Sequence, residues 1–159
     1  MKVTTALALI LILFVQQGIS QSKKEVKKNS IRSTTIVDLE NGKTINNKKT
    51  VFDKNGETIE EIDYDKDGVV KTTRKYKYNK DGDVIEEEET DAKNHKTEKH
   101  IYKYNSLGEK SEEQILDSNN KVVKTHYYVY DQKGLKTEKK THDASGKLIS
   151  IRKYTYEFK

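Results

Sequence analysis

The sequence predicts an all-β fold: an antiparallel meander of about ten strands, built from a β-hairpin repeat with a 26-residue period. Two spacings predict it. Glycine or asparagine recurs in alternating steps of 14 and 12 residues, at Gly42, Gly56, Gly68, Gly82, Asn94, Gly108, Asn120, Gly134 and Gly146. A Tyr-x-Tyr phrase recurs every 26 residues, beginning at Tyr76, Tyr102, Tyr128 and Tyr154. The chain therefore repeats a two-strand unit.

The glycine and asparagine positions are predicted to end hairpin turns. Asp or Asn lies three residues before each of them, with Leu39 as the exception. An Asp or Asn side chain at the start of a turn accepts hydrogen bonds from the backbone of that turn. Glycine suits the left-handed residue that follows, and asparagine is its usual substitute. We therefore expect Asn94 and Asn120 to take the left-handed role.

The segments between the turns are predicted strands, because they lack proline and are rich in Thr, Val, Ile and Tyr. They are 31–38, 43–52, 57–64, 69–78, 83–90, 95–104, 109–116, 121–130, 135–142 and 147–156. Long and short strands alternate, so each long strand extends past its partner in the same direction. A constant stagger with normal twist predicts a curved or spiralling single sheet. A closed ten-stranded up-and-down barrel is the alternative, and a flat sheet comes third.

One face of this sheet is predicted to collect the tyrosines, because side chains alternate between faces along a strand. The predicted ligand-binding residues are Tyr76, Tyr78, Tyr102, Tyr104, Tyr128, Tyr130, Tyr154 and Tyr156. With four-residue turns throughout, the apolar residues that join them are Val70, Val122, Leu148, Ile85 and Ile115. The same register places Lys75 opposite Glu86 and Arg74 opposite Glu87. A one-residue bulge would reverse part of this assignment.

The first twenty residues have the order of a secretory signal peptide. Lys2 precedes an apolar run over 6–15, and small residues precede a predicted cleavage site after Ser20. The run is shorter than the roughly 20 residues of a membrane-spanning helix, so no membrane span is expected. The sequence has no cysteine, so neither a lipid anchor on cysteine nor a disulfide is expected. We predict a secreted or periplasmic protein.

The positive charge lies in a short leader rather than in the repeats. Residues 23–32 hold five basic residues and one acid, whereas residues 33–159 hold 25 of each sign. A nucleic-acid-binding protein needs a basic face that contacts phosphates, so no nucleic-acid partner is expected. The predicted organisation is a signal peptide over 1–20, a basic flexible linker over 21–32 and a single β-repeat domain over 33–159.

The turn sequences resemble those of tyrosine–aspartate (YD, or RHS) repeat proteins. The residues that carry the resemblance are Tyr64-Asp65-Lys-Asp-Gly68 and Tyr130-Asp131-Gln-Lys-Gly134, with close variants beginning at Phe52, Tyr78 and Tyr104. It covers residues 43–158 and implies a spiralling β-strip in an exported protein, as in short secreted repeat proteins of Bacteroidota-like bacteria. It carries over no catalytic residue. A weaker resemblance is to MORN-like hairpin repeats.

The sequence offers little chemistry for catalysis, and we predict no enzyme, catalytic residue, cofactor or metal site. It has no phosphate loop, no Ser-His-Asp arrangement and no HExxH helix. His100 and His126 lie one repeat apart, which is roughly 10 Å across two strands and too far to share a metal. The segment 63–68 resembles the start of an EF-hand loop, but Arg74 stands where the bidentate glutamate is needed. Weak Ca²⁺ binding is left open.

The remaining prediction is a secreted, non-enzymatic binding or scaffold module that uses its tyrosine-rich sheet face. A carbohydrate or cell-wall glycan, or a protein, is the predicted partner, because tyrosine rings present large amphipathic surfaces. The alternative is an adaptor or inhibitor that binds a protein partner through an exposed edge strand. The segment 147–158 is the predicted edge.

Overall fold

The computed structural model describes residues 22–159 as one antiparallel sheet of ten strands. The strand order is the chain order, so every strand pairs with its neighbours in sequence. The strands are β1 Ser33–Glu40, β2 Lys43–Phe52, β3 Thr58–Tyr64, β4 Val70–Tyr78, β5 Val84–Asp91, β6 Lys96–Tyr104, β7 Lys110–Leu116, β8 Val122–Tyr130, β9 Lys136–Asp143 and β10 Leu148–Lys153. The all-β hairpin meander is confirmed.

The sheet is open. Strand β1 pairs with β2 and strand β10 with β9, and the sheet order leaves both as edges. The closed barrel is therefore wrong. The first strand ends at Glu40 rather than at residue 38, because Asn41 and Gly42 form a two-residue turn with φ of 51° and 76°. Two consecutive positive φ values are typical of a type I′ hairpin, which explains why Leu39 departs from the Asp-x-x-Gly pattern.

The other turns use the predicted side-chain acceptors. In the β8–β9 turn, Asp131 Oδ1 accepts hydrogen bonds from the backbone N–H of Lys133 at 2.8 Å and of Leu135 at 2.9 Å. Asn120 is left-handed as expected, with φ of 59°. Asn94 is not: His95 takes the left-handed position, with φ of 51°. Strands β5 and β6 accordingly pair without a register shift, unlike the other eight pairs.

A five-residue turn and a bulge together move the β4–β5 register by two residues from the register that four-residue turns predict. Arg74 lies opposite Glu89 and Lys75 opposite Glu88, not Glu87 and Glu86. One residue of the difference comes from a five-residue turn, in which the Asn79 N–H donates to the carbonyl of Asp83. The other comes from a bulge next to Tyr78. A shift of two keeps the same faces together, so charges still pair across strands.

The bulges also change the face of several apolar residues. Val70, Val122 and Leu148 pair with Tyr64, Leu116 and His142. Each of those partners directly follows a residue on the tyrosine side, so the partners themselves lie on the opposite face. The three apolar residues that pair with them therefore lie on that opposite face too, contrary to expectation. Ile85 is the extra residue of the β4–β5 bulge, and it lines a groove with Tyr102 and Tyr104, on the tyrosine side as expected. Ile115 lies opposite His100, on the tyrosine side as expected.

A short helix precedes the sheet. Helix α1, Lys23–Lys28, begins with a capping box in which Ser22 and Glu25 bond each other's backbone N–H groups. Its Val26 is 1% exposed, the most buried side chain among those described. The flexible linker predicted over 21–32 is therefore wrong for this stretch, because a cap and one apolar contact order it. The signal peptide predicted over 1–20 lies outside the described residues.

The sheet is a single layer with almost no buried core. The buried side chains of the described sheet are Tyr102, Thr125, His126 and Thr141. Such a sheet depends on contacts along and across its strands, because none of residues 22–159 forms a second layer over either face. The only helix of residues 22–159, the six-residue α1, is far too short to cross a membrane.

Candidate functional site: the tyrosine face

The tyrosine face is the side of the sheet that carries the Tyr-x-Tyr pairs. Cross-strand register confirms that the pairs share it: Tyr76 lies opposite Glu87, Glu87 lies opposite His100, and Tyr102 follows His100 by two residues. The rings form two columns across the sheet. The central column is Tyr76, Tyr102, Tyr128 and Tyr154, and the turn-side column is Tyr78, Tyr104, Tyr130 and Tyr156.

The turn-side hydroxyls bond the backbone of the preceding hairpin. Each donates to the carbonyl 20 residues earlier: Tyr78 to Thr58 at 2.6 Å, Tyr104 to Val84 at 2.6 Å, Tyr130 to Lys110 at 2.9 Å and Tyr156 to Lys136 at 2.7 Å. The acceptors lie at the start of short strands, beside the turns. These hydroxyls therefore tie each long strand to the short strand before it.

The central hydroxyls bond carboxylates instead. Tyr76 donates to Glu61 at 3.2 Å, Tyr102 donates to Glu87 at 2.9 Å, and Tyr128 donates to Glu113. Each acceptor precedes its tyrosine by 15 residues. Burial first, and then the neighbouring carboxylates, raise the pKa of all three phenols well above 10. Burial likewise raises the pKa of Tyr78 to about 12. These phenols are donors at neutral pH.

This glutamate series is a functional feature that the sequence reading missed. Glu61, Glu87 and Glu113 are 26 residues apart, and the next position in the series is Lys139. The signal was present as a fixed 15-residue spacing to each central tyrosine. The three glutamates lie within acidic segments, and pairing with basic neighbouring strands already accounted for the acidic residues of those segments.

Two ion-pair clusters flank the central column. Arg74 donates to Asp63 at 2.6 Å and to Glu89 at 2.7 Å, bridging three strands on the tyrosine face. Further along, both nitrogens of His100 contact carboxylates, Glu113 at 2.8 Å and Glu98 at 2.9 Å. The His100 hydrogen bond, with that of Tyr128, lowers the pKa of Glu113 to about 2 despite its burial. The contacts with Glu113 and Glu98 raise the pKa of His100.

Lysines cover the ring faces in the middle of the column. The Lys110 ammonium lies 3.6 Å from the centroid of the Tyr102 ring, and Lys136 lies 4.6 Å from that of Tyr128. Such contacts are cation–π interactions, which stabilise by about 0.5–1 kcal/mol at exposed sites and more when desolvated. Tyr76 and Tyr78 have no cation over their rings within residues 22–159. Among the central rings of this described part, Tyr76 alone has no cation over it, so the central column is most available to a ligand at its N-terminal end.

A groove of about 1060 Å³ lies at that end, between α1 and the rings of Tyr76 and Tyr78. Ile59 and Glu57 line its floor, and Lys23, Lys24 and Lys27 of α1 line its other side. The helix is held there by a Lys23–Glu57 ion pair and by a close approach to the β2–β3 turn. The groove therefore combines two aromatic rings with hydrogen-bonding and charged groups.

The residues considered for metals have other partners. Asp65 accepts from the backbone N–H groups of Asp67 and Val69, as a turn residue does, and Asp63 pairs with Arg74. His126 contacts the hydroxyl of Thr141 at 3.0 Å. Throughout the described chain, no three His, Asp or Glu side chains gather in a way that could hold a metal ion.

Comparison with known proteins adds little. No protein-family model and no curated protein matches the chain. Among solved structures, the chain is similar to part of the crystal structure of a GtfA/B complex bound to UDP and GlcNAc, at 16% identity and a TM-score of 0.22. That match covers 75% of this chain and 24% of the other. A similarity this low supports no inference about activity.

Proposed function

We propose that this chain is a secreted, non-enzymatic binding or scaffold module of the YD/RHS-like repeat type, and that it binds a carbohydrate chain on its tyrosine face. The observation that supports this is the groove beside α1, where no lysine of residues 22–159 covers the rings of Tyr76 and Tyr78. Sugar rings stack on aromatic faces, and the hydroxyls of a sugar would meet the lysine and carboxylate groups around the rings.

Of the eight predicted binding tyrosines, we assign the ligand to Tyr76 and Tyr78, because these two line the groove beside α1. The hydroxyls of Tyr76 and Tyr78 are already bonded within the sheet, so a ligand would use the ring faces rather than the phenol groups. The other central rings serve the sheet itself, since Tyr102 is 9% exposed and Lys136 lies over Tyr128. Binding would thus occupy the N-terminal end and leave the rest of the sheet as its support.

The test is a pair of matched variants. Tyr76→Leu and Tyr128→Leu each remove one central ring and one phenol–carboxylate bond, but only Tyr76 lines the groove. We would measure binding of cell-wall glycan fragments by titration calorimetry on the wild-type protein and on both variants. Tyr76→Leu should weaken binding at least tenfold, about 1.4 kcal/mol, and Tyr128→Leu should leave it nearly unchanged. Equal losses, or no glycan bound by the wild type, would contradict the proposal.

A protein partner at an edge strand is the second candidate. The observation that favours it is β10, in which all six residues are exposed and whose outer backbone groups pair with no strand of residues 22–159. An exposed edge is a template for strand addition.

A further inference from the structure

The two edge strands of the sheet carry opposite charge. Strand β1 contains Asp38 and Glu40 and no basic residue, whereas β10 contains Arg152 and Lys153 and no acid. Opposite charges on neighbouring strands stabilise pairing, and like charges destabilise it. The two ends of the sheet are therefore electrostatically complementary to each other and not to themselves.

The edges also continue the alternation of the repeat. Inside the sheet, the even-numbered strands β2, β4, β6 and β8 are net basic, and three of the four short strands between β2 and β10, namely β3, β5 and β7, are net acidic. Strand β10 follows the even-numbered type and β1 the acidic short type. A strand of the β1 type is what the pattern would place next to β10.

Both edges expose apolar side chains. On β1, Ile36, Val37 and Leu39 are 46%, 43% and 77% exposed; on β10, Leu148, Ile149 and Ile151 are 44%, 51% and 48% exposed. Pairing of the two edges would remove part of this surface from water, which is favourable at about 25 cal/mol per Å². It would also give partners to two rows of backbone N–H and carbonyl groups.

Neither edge carries a cover among the described residues. Helix α1 packs against the β2–β3 turn and the end of β2, beside Val51, Phe52 and Gly56, and leaves β1 exposed at six of its eight residues. Arg152 and Lys153 of β10 are also not charges that would prevent this edge strand from pairing. Interior even-numbered strands have the same kind of basic residues and pair there with acidic strands, as Lys77 does with Glu86 at 2.9 Å.

We propose that copies of this chain join head to tail, with β10 of one copy pairing antiparallel to β1 of the next and extending the sheet. The contact is heterologous, because it joins two different surfaces, and such contacts generate open filaments unless the rotation closes a ring. The second candidate function is a protein partner at an edge strand, and the proposal identifies that partner as another copy of the chain. The proposal therefore rests on the second candidate function. It is independent of glycan binding in the groove.

The symmetric alternatives are disfavoured by charge. A β10–β10 contact would bring two copies of Arg152 and Lys153 together, and a β1–β1 contact would bring two copies of Asp38 and Glu40 together. Like charges facing across strands destabilise pairing.

The experiment is sedimentation velocity on the purified protein over a wide range of concentration, at low and high salt. The wild type should form a ladder of species that grows with concentration. The tail variant Arg152→Glu/Lys153→Glu and the head variant Asp38→Lys/Glu40→Lys should each stay monomeric. Mixing the two variants should restore assembly, because every contact in the mixture is again between opposite charges. A control with Lys66→Glu and Lys121→Glu, both exposed in turns, changes the net charge as much as the tail variant does and should assemble like the wild type.

Each other outcome would overturn the proposal. A wild type that stays monomeric at every concentration excludes self-association, whether or not it binds a glycan. A dimer that is lost only on changing β10, or only on changing β1, indicates a symmetric contact instead. Failure of the mixture to assemble, with both variants folded by circular dichroism, would show that charge complementarity between the edges does not drive the contact.

Discussion

His100 and His126 occupy the same column of the tyrosine face, one repeat apart, and their surroundings differ in charge. His100 lies between two carboxylates, Glu98 and Glu113, and its pKa is raised. His126 is 8% exposed and contacts the Thr141 hydroxyl, and burial and the charge of Lys139 lower its pKa. The same position in the repeat thus favours the protonated imidazole in the centre of the sheet and the neutral imidazole near its C-terminal end.

One position of the repeat contributes to this difference alongside burial. Glu113 of the central unit corresponds to Lys139 of the last unit, 26 residues later. Glu113 accepts from both His100 and Tyr128, whereas Lys139 can accept from neither His126 nor Tyr154 and lies opposite Arg152. The centre is held together by ion pairs and charge-assisted hydrogen bonds between strands, whereas the ion pair of the last unit, Lys140 with Glu138 at 3.3 Å, lies within one strand. The comparison indicates that the sheet is least stable at its C-terminal end.

The largest expected effect is the loss of the central ring. Tyr102→Ala should lower the free energy of unfolding by about 3 kcal/mol or more, as for other buried aromatic residues changed to alanine. Tyr102 is 9% exposed, bonds Glu87 and carries Lys110 over its face. Tyr154→Ala, in the same column, should lower it by well under half as much. Urea denaturation of both variants measures this, and equal losses would contradict the comparison.

The second effect tests the shared carboxylate. Glu113→Gln removes the charge that His100 and Tyr128 bond, so we expect a loss of roughly 2 kcal/mol, in the range for hydrogen bonds to charged groups. Gln114→Glu, next to it on the opposite face, is a control of similar size that leaves those bonds intact. If Glu113→Gln unfolds at the same urea concentration as the wild type, the central cluster does not stabilise the sheet.

The third effect is a gain. Lys139→Glu would restore the glutamate of the earlier units, place a carboxylate 15 residues before Tyr154 and face Arg152 with an opposite charge. We expect a stabilisation of about 0.5–1 kcal/mol, typical of a cross-strand pair, and an upward shift of the His126 pKa. The charge-matched Lys121→Glu, in an exposed turn, should do neither. A destabilised Lys139→Glu would show that the last unit is not limited by this charge.

The smallest effect is the dependence of stability on pH. The depressed pKa of Glu113 contributes stability that is present above its ordinary value of 4.5 and is lost as pH falls towards about 2. The raised pKa of His100 contributes stability that is present below 6.5 and is lost as pH rises through the folded-state value. The contribution of the pair should therefore be greatest between pH 4.5 and 6.5.

Proton NMR titration of the imidazoles checks this directly. His100 should titrate above 6.5 and His126 below it. In urea denaturation, His100→Gln should remove the decrease in stability on the alkaline side, and His126→Gln should leave that decrease in place. Coincident titration of the two rings would remove the basis of the comparison.

The sequence predicted what depends on local periodicity. Turn positions, strand number, chain order and the shared tyrosine face all follow from spacings of 12, 14 and 26 residues. The register did not follow, because bulges leave no residue-type signature in this chain: the extra residue is Ile85 in one pair, Lys71 in another and Ser111 in a third. Nor did the shift of the left-handed position from Asn94 to His95, since both Asn and His tolerate that conformation.

Helix α1 could have been found. Ser22 and Glu25 have the spacing of a capping box immediately before Val26, but the basic composition around them favoured a disordered linker. The groove could not have been found, because it depends on how α1 packs against the β2–β3 turn. The close approach there is specific: a Cβ on Gly56 would lie 2.6 Å from the carbonyl oxygen of Lys23.

The backward reach of the tyrosine hydroxyls has a consequence for the length of such proteins. Every one of these bonds ends on the hairpin immediately before, 15 or 20 residues away, so no unit depends on a distant part of the chain. After a 26-residue insertion or deletion with its ends in equivalent turns, each tyrosine hydroxyl would still meet an equivalent acceptor on the hairpin before it. Gene duplication could therefore lengthen or shorten the sheet stepwise without redesigning a core, and a growing chain could add each hairpin to a finished template.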